Sequence, residues 1–428
     1  MALDKYNNLE EDVMRKLLIA LNVIIIIMVI SCSGTGEKKP VFKPLPKEVN
    51  NYFTNLSSDN WGTRQMANTA LLDFGEKLIE QYRSIKLSGV KTPGAETIKY
   101  DLSLLGKTLS DTIKSSTGET KQRAENIAKH LYRITRPKIA FNIMPYTESS
   151  ISITAPKIVI MDENGLNLNM ISRGNSGDSY PMWSADGKKI VFTSARDFQF
   201  NLGYEIYVAD QYGRKQTNLS KNAANDKNPA WNPDGKKIIF TSDRGRTWDI
   251  YTMDASGENQ QLFYKDPKGA CICPVYSPNG KKVAFVLKKN DETELCVIDS
   301  DGKNMKPILV VKPSDHLLET ENSYCAPSWS YDNKRIILHF IKNGVYEIYA
   351  VDASGQTMNK ITSGEADSIS PDWAPNGNKV IFNIISKGIY IMDKDGKNTN
   401  MLERGKTHCF PRWSPSLSEE LSQYFKYE

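Results

Sequence analysis

Residues 229–262 read PAWNPDGKKIIFTSDRGRTWDIYTMDASGENQQL. Pro229 stands two positions before an aromatic residue. A strand that carries Pro belongs at the edge of a sheet, because Pro has no N–H to give to the ladder. Asp234-Gly235 follows, and this pair suits a tight hairpin because Gly enters positive φ at little steric cost. KKIIF then reads as a second strand and DIYTMD as a third, with Asp254 and Gly257 marking another turn. Only DRGRTW, between the second and third strands, has no part in this pattern.

The same pattern recurs down the chain. The aromatic sits at Trp183, Trp231, Tyr276, Trp329, Trp373 and Trp413, each with Pro two positions before it. Spacings of 40 to 53 residues with several short strands per unit are those of β-propeller blades. The aromatic then fills the wedge between one blade and the next. The first copy, from 138 to 165, has second and third strands but no Pro-x-Trp strand before them. The last, PRWSP at 411–415, has that strand and nothing after it. The two fragments complete one blade, so the expected fold is mainly β, a six-bladed β-propeller closed by the C-terminal strand. It is preceded by a small N-terminal α-helical domain.

The repeat P-x-W-S-P-D-G-K-K-I-x-F-x-S … I-Y-x-M-D-x-x-G resembles the TolB-type, or WD40-like, propeller repeat, over about two-thirds of the chain. The resemblance implies a six-bladed propeller whose usual work is partner binding. TolB itself is periplasmic and carries an α/β domain before the propeller, whereas that slot here reads as helical.

The N-terminus indicates export. Arg15 and Lys16 precede the apolar run Leu17–Ile30, which is shorter than the roughly 20 residues of a membrane span and suits a signal-peptide core. Residues 1–13 are acidic and unlike a signal n-region, so a start at Met14 fits better. The Ser31-Cys32-Ser33 junction resembles a bacterial lipobox, which implies lipid attachment at Cys32. Ser33 resembles the pattern for delivery to the outer membrane, on its periplasmic side, in a diderm host. The expected organisation is a signal peptide over 1–32, a Lys/Pro/Gly-rich tether over 33–48, a helical domain over 49–136, the propeller over 137–416 and a tail over 417–428. Within the helical domain Ser58 or Asp59 is the expected N-cap. Trp61, Met66, Ala70, Leu71 and Phe74 form an apolar face, and Gly75 suits a break before a second helix over 76–85. Further helices are expected at 95–115 and 118–134.

The net charge of +5 over 428 residues, with both signs mixed, argues against nucleic acid as a partner. Apart from Cys32 the five cysteines, Cys271, Cys273, Cys296, Cys325 and Cys409, read as small buried residues with room for one bridge. Neither catalytic residues nor a metal or other cofactor is expected. His130, His316, His339 and His408 are too few and too scattered for a three-His site, and no G-x-S-x-G elbow occurs. Features present in every blade serve packing, so function belongs where the copies differ. The loops between second and third strands share one face with the blade-to-blade loops. There Phe198, Phe200, Arg244, Arg246 and Trp248 supply groups favoured at interfaces, and His408 precedes the closing strand. The expected function is an exported, membrane-anchored envelope scaffold that binds a protein or peptide. A lyase-like enzyme or glycan-binding protein using the channel mouth is the alternative.

Overall fold

A computed structural model describes residues 45–87, 93–135, 137–143, 155–173, 176–197, 203–289, 292–311, 327–342, 344–364, 366–405 and 408–415. They fall into two compact units, with the division along the chain between residues 134 and 135.

The first unit holds α1 (Lys47–Asn55), α2 (Trp61–Leu87), α3 (Pro93–Ser115) and α4 (Gly118–Thr135). Leu56, Leu71, Leu102, Leu105, Leu109, Ile127 and Leu131 are almost fully enclosed and form its core. Three local expectations are corrected. The N-cap of α2 is Asn60, whose Oδ1 accepts the Thr63 N–H at 3.0 Å, while Ser58 Oγ accepts from Asn60 N–H at 3.2 Å. Trp61 does not join the apolar face but stands 66 % exposed at the first turn. The helix also runs straight through Gly75. A Cβ there would lie 2.7 Å from Leu131 Cδ2, so this glycine permits close helix packing rather than a break.

The second unit contains six four-stranded sheets. Blade 1 is β24 (His408–Trp413), β1 (Lys138–Ile143), β2 (Lys157–Asp162) and β3 (Asn169–Met170). Blade 2 is β4 (Asp178–Trp183), β5 (Lys189–Ser194), β6 (Glu205–Asp210) and β7 (Thr217–Asn218). Blade 3 is β8 (Asp226–Trp231), β9 (Lys237–Ser242), β10 (Asp249–Asp254) and β11 (Gln261–Tyr264). Blade 4 is β12 (Ala270–Tyr276), β13 (Lys282–Lys289), β14 (Glu292–Asp299) and β15 (Lys306–Val311). Blade 5 is β16 (Ser328–Trp329), β17 (Arg335–Lys342), β18 (Val345–Asp352) and β19 (Met358–Lys360). Blade 6 is β20 (Ser368–Trp373), β21 (Lys379–Ile384), β22 (Gly388–Asp393) and β23 (Asn400–Arg404). The C-terminal strand β24 pairs antiparallel with β1, with Ile139 opposite Trp413 and Ile143 opposite His408, and closes the ring as the broken terminal repeats require.

The recurring aromatics are the inter-blade wedges. Trp231 of blade 3 packs with Val191, Ile206 and Leu219 of the blade 2 side and with Ile238, Phe240 and Met253 of its own. Trp413 does the same between Phe141 of blade 1 and Ile381 and Ile389 of blade 6. Each first strand is an edge, as its Pro demands, and five of them carry a further device. The residue before Pro is bulged into the left-handed region at Tyr180 (φ 54°), Asn228 (52°), Cys273 (55°), Ser370 (53°) and Phe410 (54°). The freed N–H groups point to the preceding blade: Asn228 N–H donates to Thr193 Oγ1, Cys273 N–H to Thr241 Oγ1 and Ser370 N–H to His339 Nδ1, each at 3.2 Å. The third-strand turns repeat as well. Gly257 N–H donates to Asp254 O at 2.9 Å with φ at 93°, and a Cβ there would lie 2.6 Å from Leu219 O of the neighbouring blade. Left-handed geometry and close approach both require glycine at this position.

Candidate functional site

Two side-chain networks define the loop face. In blade 3 the first strand begins at Asp226, which is fully buried. Arg244 grips it from the 243–248 loop, Nη2 lying 3.1 and 3.0 Å from the two carboxylate oxygens. Its Nε donates to Ser242 Oγ at 2.9 Å and its Nη1 to Gln260 Oε1 at 3.0 Å, while the guanidinium lies 4.6 Å from the Tyr251 ring centroid. Gln260 in turn donates to the carbonyl of Ser220 at 2.9 Å, in the connection from blade 2. Blade 2 repeats the arrangement. Arg196 Nη2 reaches Asp178 at 2.9 and 3.1 Å, Nε reaches Ser194 Oγ at 2.8 Å, Nη1 reaches Gln216 at 2.7 Å, and the cation sits 4.3 Å from the Tyr207 ring. The guanidinium of Arg244, expected to face a partner, is thus occupied inside the protein in locking a loop to its own blade and, through Gln260, to the connection from the preceding one. The sequence signal was present: Thr-Ser-x-Arg occurs at 193–196 and 241–244, with an Asp opening the first strand and a Gln at the fourth.

The neighbouring residues of the same loop behave differently. Arg246 is exposed in left-handed backbone (φ 73°), its N–H donating to Asp243 O at 2.9 Å. Trp248 is half-buried, seated on Ile272, Cys273 and Val286 of blade 4, and its carbonyl accepts Cys271 N–H at 2.7 Å. The Lys227 ammonium lies 4.0 Å from the Tyr204 centroid and 5.3 Å from that of Trp248, so two aromatic faces hold one cation at this position. The loops here are braced by Asn225, whose backbone N–H and side-chain amide donate to the two oxygens of Asp243 at 2.8 and 2.7 Å. Phe198, Phe200 and Cys32 lie outside the described residues. His408 opens β24, and its side chain lies outside the described set.

Glu205, at the start of β6, has no exposed surface. Burial pushes its carboxyl up to about 7, an effect partly offset by the Ser220 hydroxyl donating at 2.6 Å and reinforced by nearby Asp226. On the far side of the ring, full burial and the Arg412 charge push the His339 imidazole down to about 3, so it is neutral at physiological pH. Cys271, Cys273 and Cys296 are buried free thiols, and burial raises Cys271 to about 12.

Towards the axis Tyr180 of blade 2 and Phe410 of blade 1 pack together with ring centroids 4.5 Å apart. A cavity of about 30 Å³ beside them is lined by Met182, Asn228, Cys273, Val275 and Arg412, among others. That volume holds one or a few waters. The residue between Pro and the aromatic divides the ring in two. Met182, Ala230 and Val275 make one half apolar. In the other half Arg412 Nη1 pairs with Asp372 Oδ1 at 3.0 Å, Ser328 Oγ donates to the same oxygen at 2.7 Å, and Trp413 N–H donates to Oδ2 at 2.8 Å. This chain of contacts links blades 5, 6 and 1, where the ring closes.

No protein-family model matches the sequence, and no curated protein matches it. Among solved structures the chain is similar to TolB from Acinetobacter baumannii, with a TM-score of 0.54 and 20% identity over 70% of this chain and 74% of that one. The chain shares the propeller fold of that protein. A putative TolB from Agrobacterium tumefaciens aligns over 64% of this chain and 91% of its own, with 17% identity and a TM-score of 0.48. Hydrazine synthase of Kuenenia stuttgartiensis aligns with a TM-score of 0.50 and 13% identity, over 65% of this chain and 46% of that one. An enzyme and a TolB protein therefore share this architecture, and the propeller fold alone does not choose between chemistry and binding. No helix among the described residues is long and apolar enough to cross a membrane.

Proposed function

We propose that this protein is an exported, lipid-anchored scaffold of the cell envelope whose propeller binds a protein or peptide partner on its loop face. The observation that carries the reading is a braced, chemically distinct rim. Arg246 is exposed there and Trp248 is half-buried, with the Lys227 ammonium 5.3 Å from its ring. Aromatic and guanidinium groups on loops fixed by internal hydrogen bonds lose little entropy on binding, which favours association. Phe198 and Phe200 belong to the adjacent loop and are proposed as part of the same surface. Attachment through Cys32 is supported by the basic pair, the short apolar run and the small residues around it. In a diderm host this anchor directs the protein to the periplasmic side of the outer membrane.

The test has two arms. Cys32→Ala is expected to move the protein from the membrane fraction to the soluble one and to abolish fatty-acid labelling; unchanged fractionation and labelling would sink the anchor. Affinity capture from the envelope with wild type and with Arg246→Ala/Trp248→Ala is expected to lose a partner in the variant. Equal recovery of every partner would overturn the binding face.

A further inference from the structure

Four of the six third strands carry a carboxylate at one equivalent position, Glu205, Asp249, Glu294 and Glu347, and all four are buried. In three of them a lysine supplies the counter-charge. Lys265 lies 3.4 Å from Asp249, Lys289 3.2 Å from Glu294 and Lys360 3.0 Å from Glu347. Among the described residues no cation pairs with Glu205. The register shows why. Lys360 stands opposite Tyr349, whereas the residue opposite Tyr207 is Asn218, whose Nδ2 donates to Asp197 Oδ2 at 2.8 Å. Glu205 is instead held by neutral donors of the connection between blades 2 and 3: Ser220 Oγ donates to Oε2 at 2.6 Å and Asn222 N–H to Oε1 at 3.3 Å. Asn222 Nδ2 also donates to Asp226 Oδ2 at 2.5 Å, so one residue is bonded to two buried carboxylates. Arg244 balances Asp226, and a second ionised carboxylate beside it has no partner. On the other side Ser194, opposite Glu205 in register on β5, is neutral and gives its hydroxyl to Asp178, which Arg196 balances.

We propose that Glu205 is a proton-operated latch on the 220–226 connection. With its proton, the connection closes over both carboxylates. When the proton passes to solvent, the uncompensated charge favours a form in which Ser220 and Asn222 lift and water reaches Glu205. The sign follows from burial. Desolvation, reinforced by Asp226, pushes the buried carboxyl up to about 7 from its ordinary value of 4.5, so the closed form holds a proton that the open form gives up. Closure is therefore complete below about pH 4.5, weakens as the pH rises to about 7, and weakens no further above it. The effect extends to the next loop. Asn225, in the same connection, donates from its backbone and side chain to Asp243 at 2.8 and 2.7 Å, and so braces the loop that carries Arg246 and Trp248. The latch stands on this buried network alone; only its effect on a partner rests on the binding reading above.

The test is hydrogen exchange read by mass spectrometry on the full chain from pH 5 to 8, with each rate divided by the intrinsic chemical rate at that pH. In the wild type the opening constant of residues 219–226 is expected to rise by roughly tenfold per pH unit and to level off above about pH 7. In Glu205→Gln, neutral throughout, it should stay flat at the low-pH level. Melting at pH 5, where both side chains are neutral, checks that this variant folds as the wild type does. The blade 5 connection is an internal control that keeps the test decisive if the variant does not fold. There Thr362 Oγ1 accepts the Ile348 N–H as Ser220 Oγ accepts that of Ile206, but Glu347 has its lysine, so residues 361–364 should show no such slope. The inference is overturned by protection in 219–226 that does not vary with pH, by an equal slope in Glu205→Gln, or by an equal slope in the blade 5 connection. Envelope capture separates the two readings. A partner that depends on Trp248, with no pH slope in 219–226, removes the latch and leaves the scaffold; a slope without such a partner removes the rim and leaves the latch.

Discussion

Arg244→Met removes the charge from the blade 3 clamp while keeping most of the side chain's apolar length. Asp226 then remains with no exposed surface and has lost its bidentate cation, keeping Asn222 Nδ2 at 2.5 Å and Ser242 as donors. Breaking a buried ion pair from one side costs about 3–5 kcal/mol, chiefly because the surviving charge stays desolvated. Loss of the cation over Tyr251 at 4.6 Å adds about 0.5–1 kcal/mol. A propeller of this size shifts its melting temperature by about 2–4 °C per kcal/mol, so a fall of roughly 10 °C is expected at pH 7. Asp226→Asn in the same chain removes the stranded charge and should restore more than half of that loss, measured by differential scanning calorimetry of all four members of the cycle. Arg246→Ala, two residues away but exposed, should stay within about 0.5 kcal/mol of wild type. A fall of less than 2 °C in Arg244→Met, or no recovery in the double variant, would refute the claim that Arg244 acts inside the fold.

Other positions give independent tests. Glu205 carries a pKa raised to about 7 against an ordinary value of 4.5, so its charged form is disfavoured in the native state. Its contribution penalises the fold increasingly from pH 4.5 to about 7 and is constant above, by up to about 3 kcal/mol. Glu205→Gln should therefore gain stability relative to wild type across that window, and a difference in melting temperature that does not vary with pH would contradict this. Asp372→Asn leaves the buried Arg412 without its counter-charge at the ring closure, and should cost about 3 kcal/mol and speed hydrogen exchange in β24 and β1 before the other blades. Uniform exchange across all six blades would argue against a local latch. Gly75→Ala places a methyl 2.7 Å from Leu131 Cδ2 and should destabilise the helical unit by about 1–3 kcal/mol, with Leu131→Ala partly relieving the clash; a stabilised Gly75→Ala, as helix propensity alone predicts, would refute the packing argument.

The blade number, the hairpin glycines and the closure by β24 were legible in the sequence because each follows from local chemistry repeated many times. Asn333 shows how far this goes: it stands where other blades have Gly at the same turn and still adopts φ 61°, a backbone Asn tolerates. Gly75 was misread because a glycine in a helical pattern signals a stop only if nothing packs against it, and Leu131 lies 56 residues away in sequence. Trp61 was misread for the converse reason, since periodicity gives a face but not the depth at which a partner helix ends. Arg244 fell between two rules. Residues in every blade were assigned to structure and residues in one blade to function, but the clamp occurs in two. In blade 4 the position of Arg244 is held by Lys289, which pairs with Glu294 on the third strand at 3.2 Å, so a different chemistry holds the same corner.

The positions that vary between blades thus divide into those that still face inward and those that do not, and only the second group is available to a partner. Asp178, Asp226, Asp372 and Arg412 differ from their counterparts in other blades, yet all four are buried and engaged, and they stiffen particular junctions of the ring. Stiffening matters most where a ring is weakest, at the closure between β24 and β1 and at junctions whose loops must be held for binding. The Arg196 and Arg244 clamps lie in blades 2 and 3, the same sector that carries Tyr204, Lys227, Arg246 and Trp248. Each clamp pairs one arginine with one aspartate, so it leaves the net charge of the sector unchanged and acts on the loops alone. One set of substitutions in the repeat therefore fixes the loops, while Arg246 and Trp248, outside the clamps, set the chemistry of the surface they present.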